Sequence, residues 1–349
     1  MLKKLFINAL LVAASLLFII LVGEIGMRVY LKVVYEPSAG DPLHDDIELL
    51  QDSDRVYALK PTKTNGLNSA GFRGREFSTN KPTGIYRVVM LGDSIIFGTG
   101  IGSNETIPYF LEKLLSDTEG TIAYEVYNLG ISGYNSSQEL ATLRELGFSY
   151  QPDLVILNIC QNDSDPIKEV WKAGLVQRAR IRSLRDINLR TILGASYFLT
   201  FVKNNLVEVI RKYRPEALET LNSPILFLNS RVTESAWSAM KEDILAIGRE
   251  SLDDDAQFVA VIYPYRSQIE LARKDLVPQN DLLAFLQDHG LLVFDAIEPY
   301  QDAEQEMFSD SVLHLSAYGS ERVAAKLLEF LMEQEIVPPS GRSVDEVSP

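Results

Sequence analysis

Cysteine is nearly absent from this sequence: Cys160 is the only one among 349 residues, and it lies inside the apolar run LVILNIC. A single cysteine excludes an intramolecular disulfide and also excludes zinc sites built from two or four cysteines. We expect Cys160 to be a small buried hydrophobic residue. The fold must therefore be stabilised by packing, whichever redox compartment it occupies.

Basic residues are also few, because 33 lysines and arginines face 48 aspartates and glutamates, which gives a formal net charge of −15 at pH 7. A general nucleic-acid binder needs a basic surface to neutralise phosphates, so the composition argues against that class and no nucleic-acid partner is expected. Hydrophobic residues make up 46% of the chain, which is normal for a globular protein with a sizeable core.

Charged residues are missing from residues 5–23, LFINALLVAASLLFIILVG, where Asn8 and Ser15 are the only polar side chains. At about 1.5 Å per residue, a helix of this length crosses a hydrocarbon layer of about 30 Å. Lys3 and Lys4 precede the run and favour a cytoplasmic amino terminus. We interpret residues 1–23 as an uncleaved signal anchor with one transmembrane helix at about 5–23. A cleaved signal peptide is the alternative, but LVGEIGMRVY offers no good cleavage site.

The rest of the chain divides into three parts. Residues 24–84 are rich in turn-forming residues and predict a stalk followed by an arm that packs on the domain. Residues 85–335 form the predicted domain, which an insert at about 164–232 interrupts. Residues 336–349 are predicted to be a disordered tail. With a signal anchor and a bacterial source as the working assumption, the domain would lie in the periplasm or outside the cell, held at the inner membrane through residues 5–23.

Short apolar runs alternate with amphipathic stretches through the predicted domain. The runs IYRVVMLG, YEVYNLG, PDLVILNIC, QFVAVIYP and LLVFDA predict five buried strands, and the stretches between and after them predict helices. This alternation is typical of a mainly parallel sheet with helices on both faces. The predicted fold class is α/β, a three-layer α/β/α sandwich with a mainly parallel five-stranded sheet, preceded by one transmembrane helix.

Polar and glycine-rich segments follow the first three predicted strands. They are GDS at residues 92–94, GISGYN at residues 130–135 and QND at residues 161–163. Ligands of parallel sheets bind at the carboxyl ends of the strands, and these ends lie on one edge. We therefore expect the three segments to meet at a common site.

Histidine is the natural base for acyl transfer near neutral pH, and the chain has only three. His44 lies in the charged segment PLHDDIE, where we expect solvent exposure. His289 precedes a glycine at a predicted helix end, where a cation suits the helix dipole. His314 lies just before the last predicted helix, four residues after Asp310, and could form a base with an orienting carboxylate.

Four blocks in order resemble the SGNH (GDSL) hydrolase superfamily, whose blocks contribute Ser, Gly, Asn and His. They are VVMLGDSIIFGTGI, VYNLGISGYNSSQEL, VILNICQND and DSVLHLSAYG. GDS alone is a weak signal, whereas four ordered blocks are a strong one. The resemblance covers residues 85–335 and implies an SGNH, flavodoxin-like fold. The segment NSAGFRGREF and the single amino-terminal span are similar to a membrane-anchored bacterial subgroup.

The resemblance implies a role for each block residue. Ser94 would be the nucleophile, His314 the base and Asp310 the residue that orients the base. The N–H groups of Ser94 and Gly133, with the side-chain amide of Asn162, would stabilise the oxyanion. The acidic residues show no metal-ligand spacing with histidine, so neither a metal nor a cofactor is expected.

Two positions depart from the family pattern. The third block usually has a glycine two positions before the asparagine, where this chain has Cys160. The acid of the family usually lies three residues before the histidine; that position is Ser311, and the carboxylate, Asp310, comes four residues before His314. If Asp310 does not reach the ring, the site would be a Ser–His dyad.

Residues beside the blocks, and some in the insert, are candidates for substrate binding. The insert is rich in basic residues within an otherwise acidic chain, so it could bind an anionic glycan or lipid headgroup. Helices with solvated basic faces are the alternative interpretation. The candidates are Asp93, Tyr134, Asn135, Asp163, Arg178, Arg180 and Arg182.

The function that the resemblance implies is that of an exported, membrane-anchored serine esterase. We expect it to hydrolyse O-acyl esters, with O-acetyl groups favoured, on a cell-envelope or exported polysaccharide. An O-acyltransferase would use the same residues, with a sugar hydroxyl in place of water. A non-catalytic polysaccharide-binding or assembly protein with the same fold is the third hypothesis. The expected partners are an acylated glycan or a lipid-like ester as substrate, together with polysaccharide-assembly proteins of the envelope.

Overall fold

The structure is a computed structural model, which describes residues 4, 8, 11–12, 15, 18–26, 47–51, 53–61, 66–117, 122–164, 234–270, 276–301, 303, 305–310 and 313–338. The chain divides into two compact units. One comprises Met1–Pro37 and Val170–Leu221, and the other, called the main unit below, comprises Ser38–Glu169 and Asn222–Pro349.

The described part of the predicted signal anchor is helical. Residues 18–26 form a helix, and before it the Ser15 hydroxyl donates to the Leu11 carbonyl oxygen at 2.8 Å. Among the residues that the structure describes, no helix combines the length and the apolar character needed to cross a membrane. The other residues of the predicted anchor lie outside the described residues, and the transmembrane helix stays a prediction.

A five-stranded parallel sheet forms the centre of the main unit. The strands of the described chain are β1 (Ile47–Leu49), β2 (Tyr57–Leu59), β3 (Ile85–Leu91), β4 (Ala123–Asn128), β5 (Leu154–Ile159), β6 (Gln257–Ile262) and β7 (Leu292–Asp295). β1 and β2 form a separate antiparallel pair, and the sheet has the order β4-β3-β5-β6-β7 with every neighbouring pair parallel. The prediction of an α/β fold with a five-stranded parallel sheet is confirmed.

Helices connect the strands of the sheet. The helices of the described main unit are α1 (Ser94–Phe97), α2 (Ile107–Ser116), α3 (Ser136–Glu145), α4 (Glu234–Asp253), α5 (Arg266–Glu270), α6 (Val277–Asp288) and α7 (Ala317–Glu333). Short 3₁₀ turns span Ser103–Glu105, Gly147–Tyr150, Gln161–Ser164 and Glu298–Tyr300. The sequence predicted all but the two shortest α-helices, α1 and α5, which are too short to show a helical period.

The sheet separates two hydrophobic cores. Successive residues of a strand point to opposite faces, so Val88 and Met90 enter one core while Val89 and Leu91 enter the other. The first core also contains apolar residues of α2 and α7, and the second contains those of α3, α4 and α6. Both faces of the sheet are covered, which is why its strands are continuous apolar runs.

The described part of the predicted arm, which belongs to the main unit, contacts the predicted domain at two places near the ends of β3 and β4. Tyr57 of β2 donates its hydroxyl to the Ser132 carbonyl oxygen at 2.8 Å. The buried Arg73 guanidinium donates from Nη1 to the carbonyl oxygens of Gly98 at 2.5 Å and Ile101 at 2.8 Å, just after α1. The part of the predicted stalk at residues 27–46 lies outside the described residues.

The packed chain extends past the predicted start of the tail. Val337 is 3% exposed and belongs to the first core, and the Tyr86 hydroxyl donates to the Ile336 carbonyl oxygen at 2.8 Å. Ile336 and Val337 therefore belong to the packed domain, contrary to the predicted start of the tail at residue 336. Residues 339–349, together with residues 165–232 of the predicted insert, lie outside the described residues.

Candidate active site

The segment after β3 presents Ser94 at the carboxyl edge of the sheet. β3 ends at Leu91, and a Cβ at Gly92 would lie 2.7 Å from Ile96 Cγ1, so any larger residue at this position would force Ile96 to move. Asp93 then caps α1, because its Oδ1 accepts from the Ile95 N–H at 2.9 Å. Ser94 is the first residue of this four-residue helix and is 8% exposed.

His314 and Asp310 lie in the loop that precedes α7. The Ser309 N–H donates to the His314 carbonyl oxygen at 2.8 Å, which closes the loop. Asp310 Oδ1 accepts from the backbone N–H groups of Leu313 at 3.0 Å and His314 at 3.2 Å, while its Oδ2 lies 2.5 Å from His314 Nδ1. The extra residue between acid and histidine is accommodated in this turn, and Asp310 does reach the ring. Ser311 lies outside the described residues.

The structure joins Ser94, His314 and Asp310 in one hydrogen-bonded chain. His314 Nε2 lies 2.9 Å from Ser94 Oγ, and the ring's other nitrogen faces Asp310. We assign the tautomer with the proton on Nδ1, because a carboxylate accepts that hydrogen and leaves Nε2 free to accept from the serine hydroxyl. This arrangement suits proton transfer from Ser94 to His314.

The three residues proposed to stabilise the oxyanion follow three neighbouring strands. Ser94 follows β3, Gly133 follows β4 and Asn162 follows β5. Gly133 has φ = 82°, a left-handed conformation that favours glycine, and its N–H donates to none of the described residues. The Asn162 amide donates one hydrogen to Asp93 Oδ2 at 2.8 Å. Its second amide hydrogen remains for a ligand.

We expect Asn162→Ala to lower kcat for ester hydrolysis by roughly 10²–10³, with a smaller change in KM, because it removes one donor to the transition-state oxyanion. Steady-state kinetics with p-nitrophenyl acetate measure both constants. Asn80→Ala is a suitable control, because Asn80 is an exposed asparagine near the start of β3. Equal kcat values for the wild type and Asn162→Ala would exclude Asn162 from the oxyanion site.

Four predicted substrate-binding residues are instead buried parts of the scaffold. Asp93 caps α1, and Asn135 caps α3 by accepting from the Gln138 N–H at 3.1 Å. The Tyr134 hydroxyl donates to the Tyr57 carbonyl oxygen, and Asp163 Oδ2 accepts from the Cys160 N–H at 2.7 Å. These side chains stabilise the loops and helices of the site. Burial leaves them little surface that a substrate could contact.

The remaining predicted residues fall elsewhere. His289 ends α6, and its Nδ1 lies 2.7 Å from the Phe285 carbonyl oxygen, in agreement with a role at a helix end. His44, Arg178, Arg180 and Arg182 lie outside the described residues. Within the described ranges, no group of three or more His, Cys, Asp or Glu side chains is placed to hold a metal ion.

Cys160 takes the position of the usual glycine and is buried, as predicted. Burial raises the pKa of its thiol well above 9.0, and the charges of Asp93 and Asp163 raise it further. A thiol in this setting is inert. Cys160 therefore adds a buried residue to the first core without adding a second nucleophile.

Glu139 is a buried carboxyl group behind the site that the sequence did not reveal. It lies in the first turn of α3, is 1% exposed, and neither carboxyl oxygen has a hydrogen-bond partner among the described residues. Burial raises its pKa well above 4.5, and the charges of Asp93 and Asp243 add to the rise. The folded protein therefore holds a proton on Glu139 at pH values where the unfolded chain releases it.

This difference predicts a pH dependence of stability. Because the folded state binds the extra proton, the stability contribution of Glu139 is fully present below its unfolded pKa and is lost as pH rises toward its folded pKa. We expect the free energy of unfolding of the wild type to fall, relative to Glu139→Gln, by at most about 1.4 kcal/mol per pH unit above pH 4.5. Urea unfolding across pH 4.5–9 would measure it, with the exposed Glu333→Gln as control. Parallel curves for wild type and Glu139→Gln would contradict the expectation.

A serine, a histidine and a carboxylate in one hydrogen-bonded chain, beside backbone and amide donors, form the arrangement of serine hydrolases. Here the arrangement lies at the carboxyl edge of a parallel sheet, where such folds bind ligands. The fold and the site together therefore place this protein in the class of serine hydrolases that have a three-layer α/β/α core.

Comparison with known proteins identifies the family. Residues 90–322, about two thirds of the chain, match the sequence model of the GDSL-like Lipase/Acylhydrolase family. The chain therefore belongs to this family, which confirms the resemblance at that level, while the membrane-anchored subgroup stays a prediction. No curated protein matches the chain significantly in sequence.

Several solved structures are similar in fold. One is a putative lipolytic protein of the G-D-S-L family from Desulfitobacterium hafniense, with 13% identity, a TM-score of 0.42, and coverage of 70% of this chain and 98% of that one. The lipase/acylhydrolase from Enterococcus faecalis has 15% identity, a TM-score of 0.42, and coverage of 71% and 96%. The acetyl xylan esterase AlAXEase has 12% identity, a TM-score of 0.43, and coverage of 70% and 99%.

Proposed function

We propose that the protein is an exported, membrane-anchored serine esterase that hydrolyses O-acyl esters, with O-acetyl groups on a cell-envelope or exported polysaccharide as its substrate class. The distance of 2.9 Å between Ser94 Oγ and His314 Nε2 is the observation that carries the esterase activity. The apolar run at residues 5–23 supports the anchored and exported location. The inner membrane would then be a partner, and that location, together with the family resemblance, supports a polysaccharide as the substrate.

The proposed reaction has two halves. In the first, His314 takes the Ser94 proton while Oγ attacks the ester carbonyl, and the oxyanion receives hydrogen bonds from Ser94 N–H, Gly133 N–H and the Asn162 amide. His314 then protonates the leaving alkoxide, which departs as the sugar hydroxyl. In the second half, His314 takes a proton from water, the hydroxide attacks the acyl-enzyme, and the acid leaves as the proton returns to Ser94. Asp310 holds the ring in position and stabilises its charged form.

A fluorophosphonate probe on the full-length protein in detergent tests the catalytic part of this proposal. We expect labelling of the wild type that disappears in Ser94→Ala. Absence of labelling on folded wild-type protein would favour a non-catalytic polysaccharide-binding or assembly protein. Labelling alone does not separate hydrolysis from transfer, so a second assay is needed.

Acetylated polysaccharides serve as substrates in that second assay, with and without a deacetylated glycan as acceptor. Release of free acetate as the main product supports the esterase. Transfer to the acceptor in excess of hydrolysis would replace the esterase by an O-acyltransferase that uses the same residues. If the substrate is acidic, we expect Arg178, Arg180 and Arg182 to contribute to its binding at low salt; unchanged binding after their neutralisation would reject that role.

A further inference from the structure

Tyr57 lies outside the four family blocks, yet its side chain contacts the second of them. It belongs to β2 of the arm, is 1% exposed, and donates its hydroxyl to the Ser132 carbonyl oxygen at 2.8 Å. Ser132 immediately precedes Gly133, one of the proposed oxyanion donors. The contact joins residues that are 75 positions apart in the chain.

The contact acts on the peptide unit that carries the Gly133 N–H. The carbonyl of Ser132 and the N–H of Gly133 belong to the same peptide bond, and the described chain contains no cis peptide. In a planar trans peptide these two groups point in opposite directions. A hydrogen bond that fixes the Ser132 oxygen on the arm side therefore fixes the direction of the Gly133 N–H on the other side.

The same peptide is the centre of a turn that could otherwise adopt two conformations. The Tyr134 N–H donates to the Ile131 carbonyl oxygen at 3.1 Å, so Ser132 and Gly133 are the central residues. The two common turn types differ by rotation of this central peptide, with φ at the third residue of about +80° in one and about −90° in the other. Gly133 has φ = 82°, and glycine readily adopts either sign. Glycine therefore does not by itself fix the orientation of this central peptide. The hydrogen bond from the Tyr57 hydroxyl to the Ser132 carbonyl oxygen does fix it.

Tyr57 is itself held firmly. The Tyr134 hydroxyl donates back to the Tyr57 carbonyl oxygen, and the two rings meet edge to face with centroids 5.0 Å apart. Gln138 of α3 donates to the Arg55 carbonyl oxygen at 2.7 Å, which ties the preceding part of the arm to the same region. Burial raises the pKa of the Tyr57 hydroxyl, so it keeps its proton and remains a donor.

We propose that Tyr57 is a positioning residue for the oxyanion site, whose hydroxyl holds the Ser132 carbonyl and thereby aims the Gly133 N–H at the oxygen of the tetrahedral intermediate. The inference rests on the proposed esterase function. It extends the functional site to the arm, because Tyr57 acts through the Ser132 peptide and does not itself need to touch the substrate. The arm would thus affect the rate of the chemical step more than the binding of substrate.

Tyr57→Phe tests this role because it removes the hydroxyl and keeps the ring. In full-length protein with p-nitrophenyl acetate, we expect kcat to fall about tenfold and KM to change less than twofold. Complete loss of an oxyanion donor lowers kcat by roughly 10²–10³. The expected loss is smaller here, because the released Ser132–Gly133 peptide still points its N–H at the oxyanion for part of the time. A boronic acid, which forms a tetrahedral adduct with the serine, should bind more weakly by a similar factor.

Tyr86→Phe is the matched control. Its hydroxyl also donates to a backbone carbonyl oxygen at 2.8 Å, and it is also buried, but it lies near the start of β3, at the edge of the sheet opposite Ser94. We expect both variants to shift the midpoint of urea unfolding, and only Tyr57→Phe to lower kcat. An unchanged kcat in Tyr57→Phe, or an equal fall in both variants, would overturn the role of Tyr57.

A measurement on the wild type keeps the proposal testable if Tyr57→Phe does not fold. In a crystal structure of the boronic acid adduct, we expect the Gly133 N–H to contact a boronate oxygen while Tyr57 still binds the Ser132 oxygen. If the Gly133 N–H contacts the boronate while the hydrogen bond between Tyr57 and the Ser132 oxygen is broken, the positioning role of Tyr57 is rejected and the esterase function is not. A wild type that is neither labelled by the fluorophosphonate nor active on esters would reject the esterase and, with it, the role of Tyr57.

Discussion

Alanine at position 94 or at position 314 is expected to lower kcat for ester hydrolysis by roughly 10⁴–10⁶, and the double variant should be no slower than the slower single variant. Ser94 and His314 act as a unit across the 2.9 Å contact. Without the hydroxyl there is no acyl-enzyme, and without the imidazole no group takes the hydroxyl proton. Once one residue of the pair is removed, removing the other therefore causes little further loss of kcat.

The chain offers a matched control for each substitution. Ser251 is a fully buried serine near the end of α4, and its hydroxyl donates to the Ile247 carbonyl oxygen at 2.7 Å. His289 is exposed at the end of α6. We expect Ser251→Ala and His289→Ala to keep kcat within about twofold, in assays with p-nitrophenyl acetate. Multiplicative losses in the Ser94–His314 double variant would show that the two residues act independently.

Replacement of Asp310 by asparagine is expected to lower kcat by about 10⁴ while leaving KM within a few-fold, because the histidine loses the tautomer that catalysis requires. Asp310 Oδ2 accepts from His314 Nδ1 across 2.5 Å. An amide that presents its NH₂ group there would favour the proton on Nε2, which then could not accept from Ser94. Steady-state kinetics across the pH range where the wild type is active would measure the loss.

Glu250→Gln controls for the loss of one negative charge. Glu250 pairs with Arg144 on the surface, late in α4, and exposed pairs of this kind contribute little to stability. We expect its kcat to equal that of the wild type. A loss of less than tenfold in Asp310→Asn would show that the site works as a Ser–His dyad, with Asp310 chiefly holding the loop through its contacts to the backbone N–H groups of Leu313 and His314.

Local sequence patterns predicted most of the fold because they report burial directly. The five strands of the sheet are continuous apolar runs, and such runs arise when a strand is covered on both faces. The polar ends of three of these strands predicted where the site would form, since parallel strands share one carboxyl edge. For Asp310, however, the spacing alone did not predict whether its carboxylate would reach the His314 ring. Only the turn that its Oδ1 stabilises brings the carboxylate back to His314.

Contacts between distant segments could not be predicted in this way. Tyr57 belongs to a three-residue strand in a segment without periodicity, so nothing local indicates that its hydroxyl supports the turn at Ser132. Glu139 occupies a helix position where a carboxylate normally suggests solvent or a capping role. Its burial depends on packing between α3 and α4, which comes later in the chain; the Ser136 hydroxyl of α3 donates to Asp243 of α4 at 2.8 Å.

The buried thiol of Cys160 has a practical consequence for measuring motion in this protein. It is the only cysteine of the chain, it is 2% exposed, and burial raises its pKa, so maleimides and similar reagents should leave it unmodified. A cysteine introduced at an exposed position such as Ser149 would then be the single attachment point for a dye or a spin label. Two introduced cysteines would carry a pair of labels, and the distance between the labels could report how far segments move when an ester binds. Every native side chain of the site would be retained.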